Sequence, residues 1–379
     1  MRVAVIYPEP LPSAKARAVT VVNTACALAR RGLDTTLYTE TGGKDLATIA
    51  RVYECAPAGL SRRTLSRRGG FGLIRSHRFF NRRLSRALRS TAADILYVRH
   101  LKTAAHLISH RQPDQHIVFE CHEIFHQTTE HPRRGAELRA LETQVYRNAD
   151  GLVFINRTLQ QEVAAVFGHL AARQSVAWPG ATPAVVNRDK GFDTIRDIYY
   201  IGSLYPWKGV ETLLRAMPTV ADTTLHLIGD ADAGRRAEIE ALIMELGLNG
   251  RVLLEGHRTH GEIRALLAQR AALTVLPNEN GPFARFTSPL KLFEYMASGC
   301  AIVAADIETV REIGGKTPPF LSYPPGDAAT LANRINHLRR HPDEARRLAA
   351  AALAHSRAFT WDSRAERLAG FFQSLLDAN

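Results

Sequence analysis

The chain has 379 residues, 45% of them apolar and 23% charged, a composition that fits a soluble globular protein of two ordinary domains. No run of about 18 apolar residues occurs, so no membrane-spanning helix is expected. Formal net charge is +12 and lies at one end: residues 1–100 hold 18 Lys and Arg against 6 Asp and Glu, and the other 279 residues hold 31 of each. That asymmetry points to a basic first domain that meets an anionic partner.

The start, MRVAVIYPEP, has no signal-peptide layout and runs directly into a strand, Arg2 to Tyr7. A helix from about Ala18 to Arg31, closed by Gly32, and a strand from Thr35 to Tyr38 complete a β-α-β opening, as in a doubly wound sheet. The first loop lacks a GxGxxG signature. It carries Pro8, Pro10 and Pro12, then Lys15 and Arg17, which disfavours a plain dinucleotide-binding domain. Ser61 to Ser90 holds ten arginines, one histidine and no acidic residue, interleaved with Phe71, Leu73, Ile74, Phe79, Phe80, Leu84 and Leu88. Arg75, Arg78, Arg82, Arg86 and Arg89 follow 3–4 spacing, which predicts a basic helical stripe. Such a segment suits an anionic bilayer surface, a solvated face whose aromatics pack on their own domain, or nucleic acid.

Strands are predicted at Asp94–Val98, His116–Glu120, Gly151–Ile155 and Ser175–Trp178, with helices at Leu138–Asn148 and Arg157–Phe167. His122 follows a parallel strand at the end where such sheets bind ligands, and it also reads as an ordinary loop histidine or a helix cap. A linker at about 181–192 precedes a second α/β series. Its strands are Asp197–Ile201, Thr224–Ile228, Val252–Leu254 and Leu273–Pro277, and its helices are Val210–Met217, Arg235–Leu246 and His260–Arg270. Three helices close the chain, at Ala328–Arg340, Asp343–Ser356 and Ser363–Leu376. The four cysteines show no CxxC pairing; Cys26 and Cys300 read as core residues, so a reduced, cytoplasmic protein without a structural metal is expected.

Between these elements lies NENGPFARFTSPLKLFEYMASGCAIVA, Asn278 to Ala304. Ser288 fits an N-cap, Pro289 fits N1 and Gly299 fits the C′ stop of a short helix. Leu290, Phe293, Met296 and Ala297 share one face, Lys291 and Glu294 another, and Ile302–Ala304 reads as a buried strand. A helix entered from a loop offers N–H groups to an anion, Lys291 adds charge, and Glu294 suits a ribose diol. The same pattern also fits an ordinary amphipathic helix of an α/β layer.

GSLYPWKG (202–209), the IGD loop, the EGH turn after Leu254, LPNEN and SPLKLFEYMASG together resemble the retaining GT-B glycosyltransferases of family 4, and their order and spacing carry the resemblance along the whole chain. It implies an α/β architecture of two Rossmann-like domains facing each other across a cleft. Residues 1–181 would bind the acceptor, with a helix at about 357–379 packed back on them, and residues 193–356 would bind the nucleotide sugar. By the resemblance, Gly202 and Ser203 form the tight loop near the diphosphate, with Gly229 and Asp230 beside them. Lys208 matches the family's phosphate-binding lysine, and Glu294 matches the second glutamate of EX7E, which holds the ribose. Gly256, His257 and Arg258 would line the base slot, and His122 would reach the donor sugar.

Two departures stand out. Phe286 occupies the place of the first glutamate of EX7E, and Ser203 replaces the usual arginine. Lys291 and the Ser288 cap would supply the missing phosphate charge, and the backbone of Gly281 to Arg285 would take over the sugar contact. Asp230-Ala231-Asp232 is a formal DxD in a loop without a matching phosphate loop, so no metal is expected there. Acceptors of such enzymes are glycans or lipid-linked glycans of bacterial cell-surface polysaccharide or lipopolysaccharide synthesis. Lys15, Arg17, Arg75, Arg78, Arg82 and Arg86 would face the acceptor or an anionic inner-membrane surface. A nucleotide-sugar epimerase or hydrolase on the same fold, and a non-catalytic nucleic-acid-binding protein, are the alternatives.

Overall fold

The computed structural model describes residues 1–13, 15–69, 74–168, 170, 172–281, 286 and 288–377. The chain divides into two units, Met1–Gly180 with Trp361–Asn379, and Ala181–Thr360.

In the first unit, β1 (Arg2–Tyr7) pairs in parallel with β2 (Asp34–Glu40) on one side and β6 (Ile95–Val98) on the other. The full sheet runs β3 (Leu60–Leu65), β2, β1, β6, β7 (His116–Cys121), β8 (Gly151–Phe154), β9 (Arg173–Val176). Its central strands are apolar at nearly every position because helices cover both faces. Helix α1 (Ala16–Arg30) packs against the C-terminal helix α14 (Trp361–Leu376) and is buried from Ala18 to Ala29. Strand order reverses between β1 and β6, so the loops leaving their carboxyl ends diverge and open a crevice. Helices α2 (Leu46–Tyr53), α4 (Leu101–Ser109), α5 (Pro132–Asn148) and α6 (Arg157–Phe167) complete the unit.

The arginine-rich segment is not one helix. β3 runs along the sheet edge, then β4 (Arg68–Gly69) and β5 (Ile74–Arg75) form a short antiparallel pair, and only then does α3 (His77–Ser90) begin, capped by Ser76. Arg75 therefore leaves the predicted stripe. It stands in β5 and its guanidinium pairs with the buried Glu40 at 2.9 Å. Arg78, Arg82, Arg86 and Arg89 remain exposed on α3, whereas Phe80, Leu84 and Leu88 turn into the core and the Phe79 ring covers Gly69. Helix α3 thus offers charge at its surface and keeps its apolar face inside; Phe71 and Leu73 lie outside the described residues. No helix among the described residues is long and apolar enough to cross a membrane.

A buried ion pair joins α14 to the sheet. Arg364, 2% exposed, donates to Glu120 Oε2 at 2.6 Å, to Tyr97 Oη at 2.9 Å, to Thr24 Oγ1 at 2.9 Å and to the Ala177 carbonyl. Glu120, 1% exposed, also accepts from Tyr97 and from Arg99. Burial works against the charge of Glu120, but Arg364 and Arg99 keep its carboxyl below the usual range.

The second unit repeats the plan in the order β12 (Val252–Gly256), β11 (Thr224–Ile228), β10 (Asp197–Ile201), β13 (Leu273–Leu276), β14 (Ala301–Ala305), β15 (Leu321–Tyr323), all parallel, with the reversal between β10 and β13. Helices α7 (Val210–Ala216), α8 (Ala233–Glu245), α9 (His260–Gln269), α10 (Leu290–Ala297), α11 (Glu308–Gly314), α12 (Ala328–Arg340) and α13 (Pro342–Ser356) flank it. The linker is fastened down: Lys190 Nζ donates to the carbonyls of Leu267 at 2.7 Å and Ser298 at 2.6 Å. Ala181 and Thr360, the two ends of the unit, bridge each other, and Ala181 N–H donates to the Phe359 carbonyl at 2.9 Å.

Arg364→Ala removes one of the two guanidiniums that pair with buried Glu120 and leaves Arg99 and Tyr97 as its donors, so it should cost about 3 kcal/mol of stability, the low end for a broken buried ion pair. Denaturant unfolding of Arg364→Ala against the double variant Arg364→Met/Glu120→Gln measures it, and the double variant should recover most of the loss.

Candidate functional site

The loops leaving β10, β11 and β12 are stitched together at the carboxyl end of the second sheet. Gly202 N–H donates to the Ile228 carbonyl at 2.9 Å, Leu204 N–H to the Asp230 carbonyl at 3.1 Å, and Gly229 N–H to the Gly256 carbonyl at 2.9 Å. A side chain at Gly229 would run into the Gly202 carbonyl. The predicted residues Gly202, Ser203, Gly229, Asp230 and Gly256 therefore form one floor. Ser203 contributes its carbonyl to Tyr200 Oη at 2.7 Å. Asp232, the second carboxylate of the DxD, caps α8 by accepting from Arg235 N–H at 2.9 Å. Among the described residues no cluster of three or more His, Cys, Asp or Glu is spaced to hold a metal ion.

At the reversal point, the turn Pro206–Lys208 ends at Gly209, which adopts φ 71° in the left-handed region. A Cβ there would strike the Pro277 carbonyl, so only glycine lets the β10 loop pass under the β13 loop. Two further contacts hold these loops: Glu279 N–H to the Trp207 carbonyl at 3.3 Å, and Thr212 Oγ1 to Glu279 Oε1 at 2.5 Å. Lys208 Nζ sits 4.0 Å from the centre of the Trp207 ring. Among the described residues no carboxylate pairs with it. Burial, then the charge of Lys291, pushes its pKa down to about 8.

Lys291 and Glu294 stand one turn apart on α10 and pair at 2.6 Å. The carboxylate expected to hold a sugar diol thus also neutralises the neighbouring lysine. His260, at the start of α9, has its pKa lowered by burial; Glu294 opposes the shift, and Lys291 and His257 add to it. Lys208, Lys291, Glu294, His257 and His260 therefore share one electrostatic neighbourhood. Arg258 turns back to pair with Glu255.

The start of α10 corrects the sequence reading by one residue. Pro289 is the N-cap, in an extended conformation without a side-chain hydrogen bond, and Leu290 is the first helical residue. Proline at this site fixes an entry that a serine cap would otherwise make, and Ser288 lies one position outside, 6% exposed. The buried face is also wider than predicted: Leu292 and Tyr295 join Phe293, Met296 and Ala297, and Leu290 is only partly covered. Tyr295 Oη accepts from Ile201 N–H at 2.9 Å, locking the helix to the end of β10. Gly299, at φ 61°, ends it as expected. Phe286 is 3% exposed, so its side chain is in the core. The sugar contact expected from Gly281 to Arg285 falls at 282–285, outside the described residues, as does Thr287.

In the first unit, His122 follows β7 at the carboxyl end of its sheet. Its ring stands edge-on to Phe125 at 5.1 Å, with Nε2 3.3 Å from Glu123 Oε1 and Nδ1 3.4 Å from the Glu120 carbonyl. Burial, then Arg99, lowers its pKa, which favours the neutral imidazole. Buried Glu142 orders the next turn by accepting from Phe125 N–H at 2.6 Å, His126 N–H at 3.3 Å and His126 Nδ1 at 2.7 Å. Lys15 and Arg17 converge on Glu9, at 3.3 and 2.6 Å. Sequence reasoning missed Glu142, His260 and Glu279 as site residues. Glu279, inside LPNEN, had the clearest signal, a lone carboxylate just past a predicted strand.

The family described as Glycosyltransferase Family 4 matches residues 18–184, and that described as Glycosyl transferases group 1 matches residues 195–341. Glycogen synthase of Mycobacterium tuberculosis is 28% identical over 239 residues, 57% of this chain and 52% of that protein, so the chain spans about half the length of the relatives it matches. Sucrose-phosphate synthase from Thermosynechococcus elongatus superposes with a TM-score of 0.78 at 20% identity over 100% of both chains. Anabaena HepE in complex with UDP-glucose does so with a TM-score of 0.75 at 18% identity, over 99% of this chain and 100% of that one. With one family match on each parallel-sheet unit and GT-B enzymes sharing the fold along the full length, the chain belongs to the group 1, family 4 glycosyltransferases of GT-B fold.

Proposed function

We propose that the chain transfers a glycosyl group from a nucleotide-diphosphate sugar, a UDP- or GDP-sugar, to a glycan or lipid-linked acceptor, with retention at the anomeric carbon. The observation that carries this reading is Lys208: a desolvated ammonium at the strand-order reversal, without a carboxylate of its own among the described residues, beside a second lysine whose charge is already matched by Glu294. A diphosphate supplies the missing anion. Lys208, Lys291 and the open first turn of α10 would stabilise the charge that builds on the leaving diphosphate as the glycosidic bond breaks. Glu294, with one oxygen on Lys291, has the other for the ribose hydroxyls. His122, kept neutral, would hydrogen-bond the donor sugar. HepE, which was crystallised with UDP-glucose, supports a nucleotide-sugar donor through its similarity. The reaction would need no metal, and the acceptor would lie on the first unit.

The exposed arginines of α3 suit an anionic membrane surface carrying a lipid-linked acceptor, by charge rather than by insertion. Replacing Arg78, Arg82, Arg86 and Arg89 with Gln should cut binding to phosphatidylglycerol vesicles at least tenfold and flatten its salt dependence, read by co-sedimentation. Binding that survives these changes removes the membrane from the proposal.

Saturating UDP at about 100 times its Kd should stabilise the protein by about 2.7 kcal/mol, read as a rise in Tm, and Lys208→Ala and Glu294→Ala should each abolish both the shift and transfer. Indifference to every nucleotide diphosphate would sink the proposal, and product analysis by NMR would separate retaining transfer from hydrolysis or epimerisation.

The pH dependence has a definite sign. Lys208 binds phosphate as the ammonium, which the free protein loses as pH rises through about 8. Bound diphosphate restores it, so UDP affinity should fall above pH 8 by up to about tenfold per pH unit. Lys208→Arg, charged throughout, should remove that slope in calorimetric titrations at pH 7 to 9.5.

A further inference from the structure

The crevice at the carboxyl end of the first sheet holds more positive charge than its own carboxylates neutralise. Two acids lie there, Glu9 after β1 and Glu40 at the end of β2, joined by a hydrogen bond from Glu40 N–H to the Glu9 carbonyl at 3.2 Å. Lys15 and Arg17 pair with Glu9, and Arg67 and Arg75 pair with Glu40. Lys102, exposed at the start of α4, is a fifth cation. Against these the ring of His77, first residue of α3, stacks on that of His100, the cap of α4, with centres 4.3 Å apart.

The crevice also holds buried polar nitrogens left unsatisfied among the described residues. Arg17 Nε, Arg67 Nε and His77 Nδ1 are buried, and among the described residues none has a hydrogen-bond partner. Buried polar atoms are almost always satisfied, so three in one charged crevice mark the place of an absent acceptor atom. The charges converge on the stacked rings. Burial, then Arg67 and Lys102, takes the pKa of His77 down to about 4, and burial, His77, Arg67, Lys102 and Arg17 take that of His100 down to about 3. Both rings are therefore neutral near pH 7 and act as hydrogen-bonding groups beside the cations.

We propose that this crevice, built on Arg17, Arg67, Lys102 and His77, binds a phosphate group carried by the acceptor. The two carboxylates of the crevice, Glu9 and Glu40, each already engage two cations and still leave buried donors over. Several separate N–H donors and an ammonium around two stacked rings instead suit a tetrahedral, multiply charged group. The crevice lies at the same end of the sheet as His122, and Arg99, adjacent to His100 in sequence, connects it to Glu120 at 2.8 Å. Only the assignment of the phosphate to an acceptor rests on the glycosyl-transfer reading; the anion site itself rests on the crevice.

The test uses the full chain with 15N-labelled histidines, saturated with UDP so that the second unit's lysines are occupied. Inorganic phosphate, compared with chloride at equal ionic strength, should move the ring signals of His77 and His100. Lys102→Gln, on the surface and unable to disturb the core, and Arg67→Gln should each raise the phosphate Kd about fivefold or more, while UDP affinity stays as in the parent chain. Phosphate that moves neither ring, or a Kd unchanged in both variants, overturns the site. Loss of UDP binding in the parent chain would refute the donor assignment and leave the phosphate titration readable. Phosphatidylglycerol vesicles form the second arm: ring signals moved by inorganic phosphate and not by vesicles support an acceptor phosphate, and signals moved by vesicles alone overturn it in favour of a lipid head group.

Discussion

The proposed donor half of the site depends on the passage of Gly209 beneath the Pro277 carbonyl. Parallel strands β10 and β13 are neighbours although three helices and two strands separate them in sequence, so their loops must cross at the point where the strand order turns. Any side chain at Gly209 would hold the two loops apart. With glycine, Glu279 reaches both Trp207 and Thr212, and Lys208 is set against the Trp207 ring and near Lys291. Backbone sterics thus place the charge, and the charge then determines what can bind.

The two units solve opposite electrostatic problems with the same scaffold. The second unit gathers a few cations, buries one of them and matches another to a carboxylate on the same helix turn. The first crowds cations onto one end of its sheet and shares two glutamates among three arginines and a lysine. Its deepest cation, Arg364, is held differently, in a buried network with Glu120, Tyr97 and Arg99.

Much of the fold was legible because buried parallel strands are continuous apolar runs: DIYYI, TLHLI and GLVF were found at or within one residue of their bounds. β3 was missed because LSRRTL is an edge strand whose arginines break the apolar run, and the expected basic stripe, Arg75 to Arg89, took the last residue of β5 for part of a helix. Spacing alone could not separate Arg75, in a strand, from Arg78, on a helix, since 3–4 recurrence of a single residue type in a loop mimics a helical stripe. In the site, glycines and lysines were legible through their loops. Glu142 and His260 were not, because their parts come from packing between elements distant in sequence. Pro289 was misplaced by one position because proline serves both the cap and the first turn.

The bridge between Ala181 and Thr360 has a consequence for how the gene product can be divided. The second unit starts and finishes at adjacent points, so it is topologically an insertion, and residues 181–360 form a contiguous segment whose six-stranded sheet borrows nothing from outside it. The first unit has no such autonomy. Its sheet is sealed by α14, brought back from the far end of the chain and bolted through Arg364 to a carboxylate 244 residues earlier. Cut before Trp361, the first unit loses the helix that supplies Arg364 and keeps only Arg99 and Tyr97 on Glu120, whereas residues 181–360 retain every strand of their own sheet.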